Sequence, residues 1–258
     1  MTHPLDALLA GMASPDPAVR DGWAYQELAE GIESGRLAAH HHTIRSTALA
    51  NLRSTEVQAR TFAPLILAWL LEAGDRDRNA FDAVARWYPQ EQDTRGYDSE
   101  LGWLHAVAHG ADYLGAAARV GLAQPADVLD VLAARLLAPG EAWVDQEPAR
   151  VAHAALEALR RCSADPSVCR AETSWLDTID QALTAWEASA PEGRPPMWLG
   201  NVYATVTTLH VAIACNDHVD HTDHAGLSVV TAVQAKLAAV AQRMTPWLFT
   251  RQEPQPAP

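Results

Sequence analysis

Two imidazoles and a carboxylate stand at helical spacing near the middle of the chain: His105, His109 and Asp112, at i, i+4 and i+7. At about 100° per residue, these positions fall on one stripe of a helix. Imidazole titrates closest to neutral pH, and an adjacent carboxylate can fix its tautomer, so the trio suits general acid–base chemistry. With one coordination position left open, the same groups can hold a divalent metal. A third arrangement needs no ligand: a buried polar network bonding across to Arg95 or to the next helix. Ala106, Ala108, Gly110 and Ala111 leave room for another helix, or a ligand, to come close. No H-E-x-x-H run accompanies the histidines, which removes the zinc-protease reading. We read His105, His109 and Asp112 as candidate catalytic residues and assign no cofactor. A divalent ion on the trio is the alternative.

Residues that can bind a ligand lie close by in sequence. Arg95, between Asp93 and Gly96, carries a planar fork suited to bidentate contacts with a carboxylate. Tyr97 and Trp103 supply aromatic surface. Farther on, Val202, Val206, Leu209 and Ile213 form the apolar stripe of a helix whose second stripe, Asn201, Thr205 and Thr208, is polar. That polar face looks either to solvent or into a concave surface, and Asn201 beside Tyr203 is the candidate second wall of a pocket. His40 to His42 and the tract His218, His221 and His224, interleaved with aspartates, have the composition of adventitious metal binders. The second tract also reads as a solvated loop capped by Asp223. There is no glycine-rich phosphate loop, no G-x-S-x-G and no dinucleotide fingerprint, so nucleotide cofactors and serine-hydrolase chemistry are set aside.

The elements that must position these groups are helices. Alanine and leucine dominate, and glycine is sparse at 14 residues. Asp16 is an N-cap with Pro17 at the first helical position, and the pattern runs on to a stop at Ser34-Gly35. The Asp-Pro-x-Val-Arg opening of this helix resembles a HEAT-type repeat. Further helices are predicted over His42–Leu52, Glu56–Glu72, Arg76–Tyr88, Ser99–Arg119, Pro125–Leu137, Glu147–Cys162, Glu172–Glu187, Met197–Cys215 and His224–Met244. Asp98 and Ser99 are expected to cap the one that carries the trio. About ten helices with short connections make neighbours antiparallel. At about 40 residues per pair they fit an all-α, HEAT-like α/α superhelix, with a closed α/α toroid as the alternative. Residues 1–250 read as one helical-repeat domain and 251–258 as a disordered tail.

The formal charge of −13, from 32 acidic and 19 basic residues, opposes a phosphate backbone and anionic lipid, so neither nucleic acid nor membrane is an expected partner. Three cysteines without a framework suit a reducing cytoplasm, with a Cys162–Cys169 disulfide as the alternative. The N-terminus has no basic or apolar signal region, and the most apolar run, Phe62 to Leu71, is too short to span a bilayer. The expectation is a soluble, cytoplasmic protein.

One resemblance is specific. Asp93-x-Arg95-Gly96-Tyr97 followed by Gly102-Trp103-x-His105-Ala106-x-Ala108-His109-x-Ala111-Asp112 resembles the signature of the DUF2785 family, bacterial proteins of unknown function. Asp16-Pro17-x-x-Arg20-Asp21, Arg60-Thr61-Phe62 and Glu147-Pro148-x-Arg150 extend it over roughly residues 10 to 220. The resemblance implies a helical-repeat fold and brings no reaction with it. At Glu147-Pro148 the chain departs from the family pattern, which usually carries a second acidic residue there. Two functional readings follow. In one, a small molecule binds in the concave face and is transformed by proton transfer at His105, His109 and Asp112, in a lyase, isomerase, cyclase or hydrolase reaction. In the other, the superhelix is a scaffold for a protein partner and the trio is structural.

Overall fold

The computed structural model describes residues 3–164, 173–189, 192–193, 195–215 and 224–249. The described chain is mostly helical. It opens with α1 (Leu5–Met12), α2 (Pro17–Val19), a π-turn over Arg20–Ala24 and α3 (Tyr25–Glu33). Then come α4 (His41–Asn51), α5 (Val57–Glu72) and α6 (Arg78–Trp87). A two-stranded hairpin, β1 (Tyr97–Asp98) and β2 (Gly102–Trp103), leads into α7 (Ala106–Arg119). The remainder is α8 (Pro125–Leu137), α9 (Glu147–Ala164), α10 (Ser174–Ala188), α11 (Met197–Cys215), α12 (His224–Met244) and α13 (Pro246–Phe249). Local chemistry sets the boundaries. The Asp16 carboxylate accepts from the Ala18 amide at 2.9 Å ahead of Pro17, and Asp77 accepts from Asn79 at 2.8 Å, starting α6 two residues later than Arg76.

Helix α7 lies at the centre, packed against α5 on one side and α9 on the other. Helix α9 in turn meets α11, which meets α12, while α4 packs on α5 and α8 packs on both α9 and α10. The small residues of α7 make this closeness possible. A Cβ at Gly115 would stand 3.0 Å from the Ala154 Cα of α9, and one at Gly110 would collide with the Tyr88 ring. That ring is buried, and its hydroxyl donates to the Val107 carbonyl at 2.8 Å. On this flank, room at α7 is taken by neighbouring protein. Leu114, Leu132 and Ile179, all fully buried, are typical of the core, each burial contributing about 1.5–3 kcal/mol.

The helix expected from Ser99 does not start there. Tyr97 pairs with Trp103 and Asp98 with Gly102 in antiparallel register, and α7 begins only at Ala106. Gly102 sits at φ 71, a turn conformation that breaks a helix. Asp98 does cap, but its Oδ1 accepts the Glu100 and Leu101 amides, both at 2.9 Å, and so closes the hairpin turn. Arg20, fully buried, clasps that turn by donating to the Leu101 carbonyl at 2.7 Å and to the Ser14 carbonyl at 3.1 Å. His105 therefore stands before the helix, off the stripe that carries His109 and Asp112. The Cys162–Cys169 pairing, the tract at His218 and His221, and the tail 251–258 lie outside the described residues. No described helix is long and apolar enough to cross a membrane.

The packing at Gly115 yields a paired test. Gly115→Leu forces α7 away from the α9 backbone and should destabilise the protein by about 3 kcal/mol in urea denaturation. Gly22→Ala, where an added Cβ meets nothing within 4 Å, should instead stabilise by up to about 1 kcal/mol.

Candidate functional site

A cleft of 370 Å³ opens beside the start of α7, with His105 and His109 both on its wall. Phe62 and Leu65 of α5 supply apolar surface, Trp103 of β2 and Tyr25 of α3 add aromatic faces, and Asp21 and Arg150 bring charge. The two histidines come from different backbone environments and acquire different chemistry.

His109 is buried on α7, and its Nδ1 lies 3.0 Å from the Thr61 carbonyl of α5. A carbonyl only accepts, so Nδ1 carries the proton and Nε2 is the bare nitrogen. Thr61 is in the turn where Pro64 interrupts α5, since proline offers no amide to the Arg60 carbonyl. The Phe62 ring meets the imidazole edge-on at 4.8 Å between centroids. Burial pushes the His109 pKa down to about 3, against the Thr61 hydrogen bond, and the neighbouring His105, Arg150 and Arg20 push the same way as burial. His109 is a neutral hydrogen-bond acceptor toward the cleft.

His105 has the opposite support. Its ring stacks on the Trp103 indole at 4.5 Å with 7° between planes, and its Nδ1 faces the Glu147 Oε1 at 3.6 Å. Glu147, at the start of α9, is fully buried, and its Oε2 accepts the Asp145 amide at 2.8 Å. Neither Glu147 Oε1 nor His105 Nδ1 has any other hydrogen-bond partner. The two atoms face each other just beyond hydrogen-bond distance, a gap that a small movement would close. Burial alone would raise the Glu147 pKa; His105 and the backbone amides of Glu147 and Asp145 outweigh it and hold the carboxyl below its usual range. Opposite this carboxylate, residue 96 must be glycine, because a Cβ there would strike Glu147 Oε1. Strained backbone adjoins the pair on both sides: His105 itself has φ 53, and Gln146, the residue before Glu147, has φ 71. The left-handed region costs a residue with a Cβ about 1–2 kcal/mol. Such strain gathers where a site holds a side chain in place.

Asp112 does not orient a histidine. Its carboxylate receives Nε of Arg150, at 2.8 Å, and Nη2 of the same guanidinium, a two-point contact between α7 and α9. Asp112 projects toward α9, whereas His109 projects toward α5, and this divergence separates them. The carboxylate that backs a histidine is Glu147, on a different element. Arg95 is likewise a support: it bonds Asp93 through Nε at 2.9 Å and Nη2 at 2.6 Å, and also reaches Asp98, fixing the loop into the hairpin. Tyr97, 53% exposed, meets Trp103 edge-on at 5.0 Å. Asn201 and Tyr203 are elsewhere. The Asn201 amide is consumed by the loop before α9, accepting the Trp143 amide at 2.9 Å and donating to the Glu141 carbonyl at 3.1 Å. Tyr203 borders a separate apolar groove with Trp186 and Trp247. Of the expected set, the cleft unites His105, His109 and Trp103. Sequence reasoning missed the roles of Glu147 and Arg150, although Glu147-Pro148-x-Arg150 was visible as a motif. Asp21, paired bidentately with Arg20, was visible in the same way. Among the described residues, no group of three or more His, Cys, Asp or Glu side chains is placed to hold a metal ion.

The neutral His109 makes stability depend on pH with a defined sign. Its folded pKa, about 3, lies below the ordinary 6.5, so the unfolded chain takes up the proton first as pH falls. Stability from this group is complete at neutral pH and is lost from about pH 6.5 downward toward 3. Between pH 7.5 and 5, the protein should lose about 2 kcal/mol more than a His109→Gln variant in chemical denaturation. Nitrogen NMR of the imidazoles should show His109 as the Nδ1–H tautomer, with no titration above pH about 4.5; a midpoint near 6.5 contradicts the assignment.

Residues 48–211 match the family described as "Protein of unknown function (DUF2785)". No curated protein and no solved structure matches the chain. The matched span contains the hairpin, α7, the start of α9 and nearly all of α11, so both histidines, Glu147 and Arg150 fall within it. The chain belongs to the DUF2785 family.

Proposed function

We propose that the cleft binds a small molecule and transfers a proton to or from it. The observation that carries this reading is the pair of imidazoles on one cleft wall, 5.8 Å apart between centroids, each with a different group behind it. His105, with Glu147 at its Nδ1, is the general base: proton uptake at Nε2 creates an imidazolium that the buried carboxylate stabilises. His109 keeps Nε2 unprotonated and accepts a hydrogen bond from the substrate, which therefore presents a hydroxyl or N–H group to it. Arg150 has its side-on fork occupied by Asp112, leaving the end-on Nη1 and Nη2 for a polar group of the ligand. Trp103 both walls the cleft and holds the His105 ring by stacking. This division of labour needs no nucleotide cofactor. It suits a lyase, isomerase, cyclase or hydrolase step.

A second reading has its own support. Helices α5, α7, α9 and α11 follow one another side by side, with α4 and α8 packed against members of that row. That order is the one a HEAT-like superhelix would produce, and such arrays commonly present surfaces to protein partners. Fold-level likeness alone does not require a neutral histidine and a buried carboxylate–histidine pair beside one opening, so the small-molecule reading is preferred.

A thermal-shift screen of hydroxylated and amino-bearing metabolites tests the proposal. The expected result is a ligand that raises the melting temperature of the parent protein and has at least about tenfold weaker affinity for His105→Ala and Glu147→Gln. Turnover of that ligand should fall at least about a hundredfold in His105→Ala, the lower end of what a general base contributes. Ligands that bind these variants as well as the parent would remove His105 and Glu147 from the site.

A further inference from the structure

In a chain with 32 acidic and 19 basic residues, an unpartnered cation is exceptional. Among the described residues, each of the other cationic side chains is engaged by a partner, as Arg45 is by Asp75 and Asp77, Arg60 by Glu91, and Arg243 by Asp180 and Glu187. Arg53 and Arg86 have none. Both border the same cavity, a cleft of 590 Å³ between the end of α4 and one face of α6.

The cleft has a fixed aromatic wall. Asn79, Ala83, Arg86 and Trp87 follow helical spacing along α6, opposite Leu49 and Arg53. The Trp87 indole N–H donates to Glu91 Oε2 at 3.0 Å, and Glu91, 5% exposed, is itself held by Arg60 at 2.7 Å. The indole is thus locked from behind, and the one nearby buried carboxylate is already neutralised. Helix macrodipoles favour basic residues near the ends of α4 and α6 by a few tenths of a kcal/mol. They give no reason for two free guanidiniums to share a cavity with a pinned tryptophan.

We propose that this cleft binds a small organic anion. Its carboxylate or phosphate sits between Arg53 and Arg86, and its flat or apolar part rests on Trp87 and Leu49. The volume lies within the range of small-molecule sites, and guanidinium forks match planar or tetrahedral oxyanions. The cleft shares no lining residue with the one at His105, so the proposal stands independently of the acid–base reading.

The test uses the full-length chain and its tryptophan indole resonances, with Trp87 assigned through Trp87→Phe. Five probes are titrated: 1-naphthyl phosphate, 1-naphthoate, inorganic phosphate, neutral 1-naphthalenemethanol and a glutamate-rich peptide. At least one of the two naphthyl anions should move the Trp87 resonance saturably, at least about tenfold more tightly than phosphate or the alcohol. Arg53→Gln and Arg86→Gln should each weaken binding about tenfold, whereas Arg78→Gln, at a surface ion pair, leaves it unchanged. Both arginines are exposed, so unchanged positions of the other indole resonances verify that the variants fold. The proposal falls if neither naphthyl anion saturates, if the alcohol binds equally well, or if the double variant binds as the parent does. A glutamate-rich peptide that binds more tightly than both naphthyl anions would also overturn it, in favour of an acidic protein segment.

Discussion

The close seating of α7 between α5 and α9 is the constraint from which the candidate site follows. Gly115 brings the two backbones of α7 and α9 to a distance at which only a missing side chain fits, and Gly110 does the same toward the Tyr88 ring. On the α9 side Arg150 reaches Asp112, and on the α5 side, where Phe62 packs edge-on against the imidazole, the Thr61 carbonyl reaches His109. A wider spacing would leave the His109 Nδ1–H buried without an acceptor, at a cost of about 1–3 kcal/mol. Packing and the protonation state of the site are therefore one problem. The glycines set the approach of α9 and Tyr88, and the seating of α5 on the opposite side decides which nitrogen of His109 carries its proton.

The two histidines show how environment divides one side-chain chemistry into two. His109 has an uncharged acceptor behind it and little water around it, which favours the neutral ring. His105 has a buried carboxylate behind it and an indole face beside it, surroundings of the opposite kind. In the proposed reading, this contrast across a few ångströms is what would divide the two rings between acceptor and base. The strained backbone at His105 and Gln146 belongs to the same arrangement, since a helical φ at residue 105 would carry its ring onto the α7 stripe and away from Glu147.

The helical nature of the chain was legible because Asp16 and Pro17 carry cap chemistry that acts locally, and because apolar spacing persists over long stretches. His105 and His109 were legible as a pair for the same reason, a motif compact in sequence. What failed was the geometry. Asp98 and Ser99 resemble a helix cap, yet the Asx-type closure by Asp98 serves equally well in a hairpin turn, and Gly102 decides between the two. The role of Asp112 was misassigned because helical spacing relates residues on one helix, whereas the partners that matter, Thr61, Glu147 and Arg150, come from other helices. Asn201 was misread because its amide satisfies a loop 58 residues upstream in the chain, and nothing local signals that.

The contact between Gly96 and Glu147 links two positions far apart in sequence. A methyl group at 96 and a carboxylate of that reach at 147 compete for the same space. Within a lineage these sites cannot drift separately: Asp145 crowds the same space, its Cβ and its Oδ2 both within 2.6 Å of where the methyl would stand, so alanine at 96 needs room at both acids and in turn excludes the return of either. Positions 96, 145 and 147 form an epistatic lock, in which the order of substitutions matters as much as their identity. A chain that keeps glycine at 96 retains access to both acids, and with them to the buried carboxylate that faces His105.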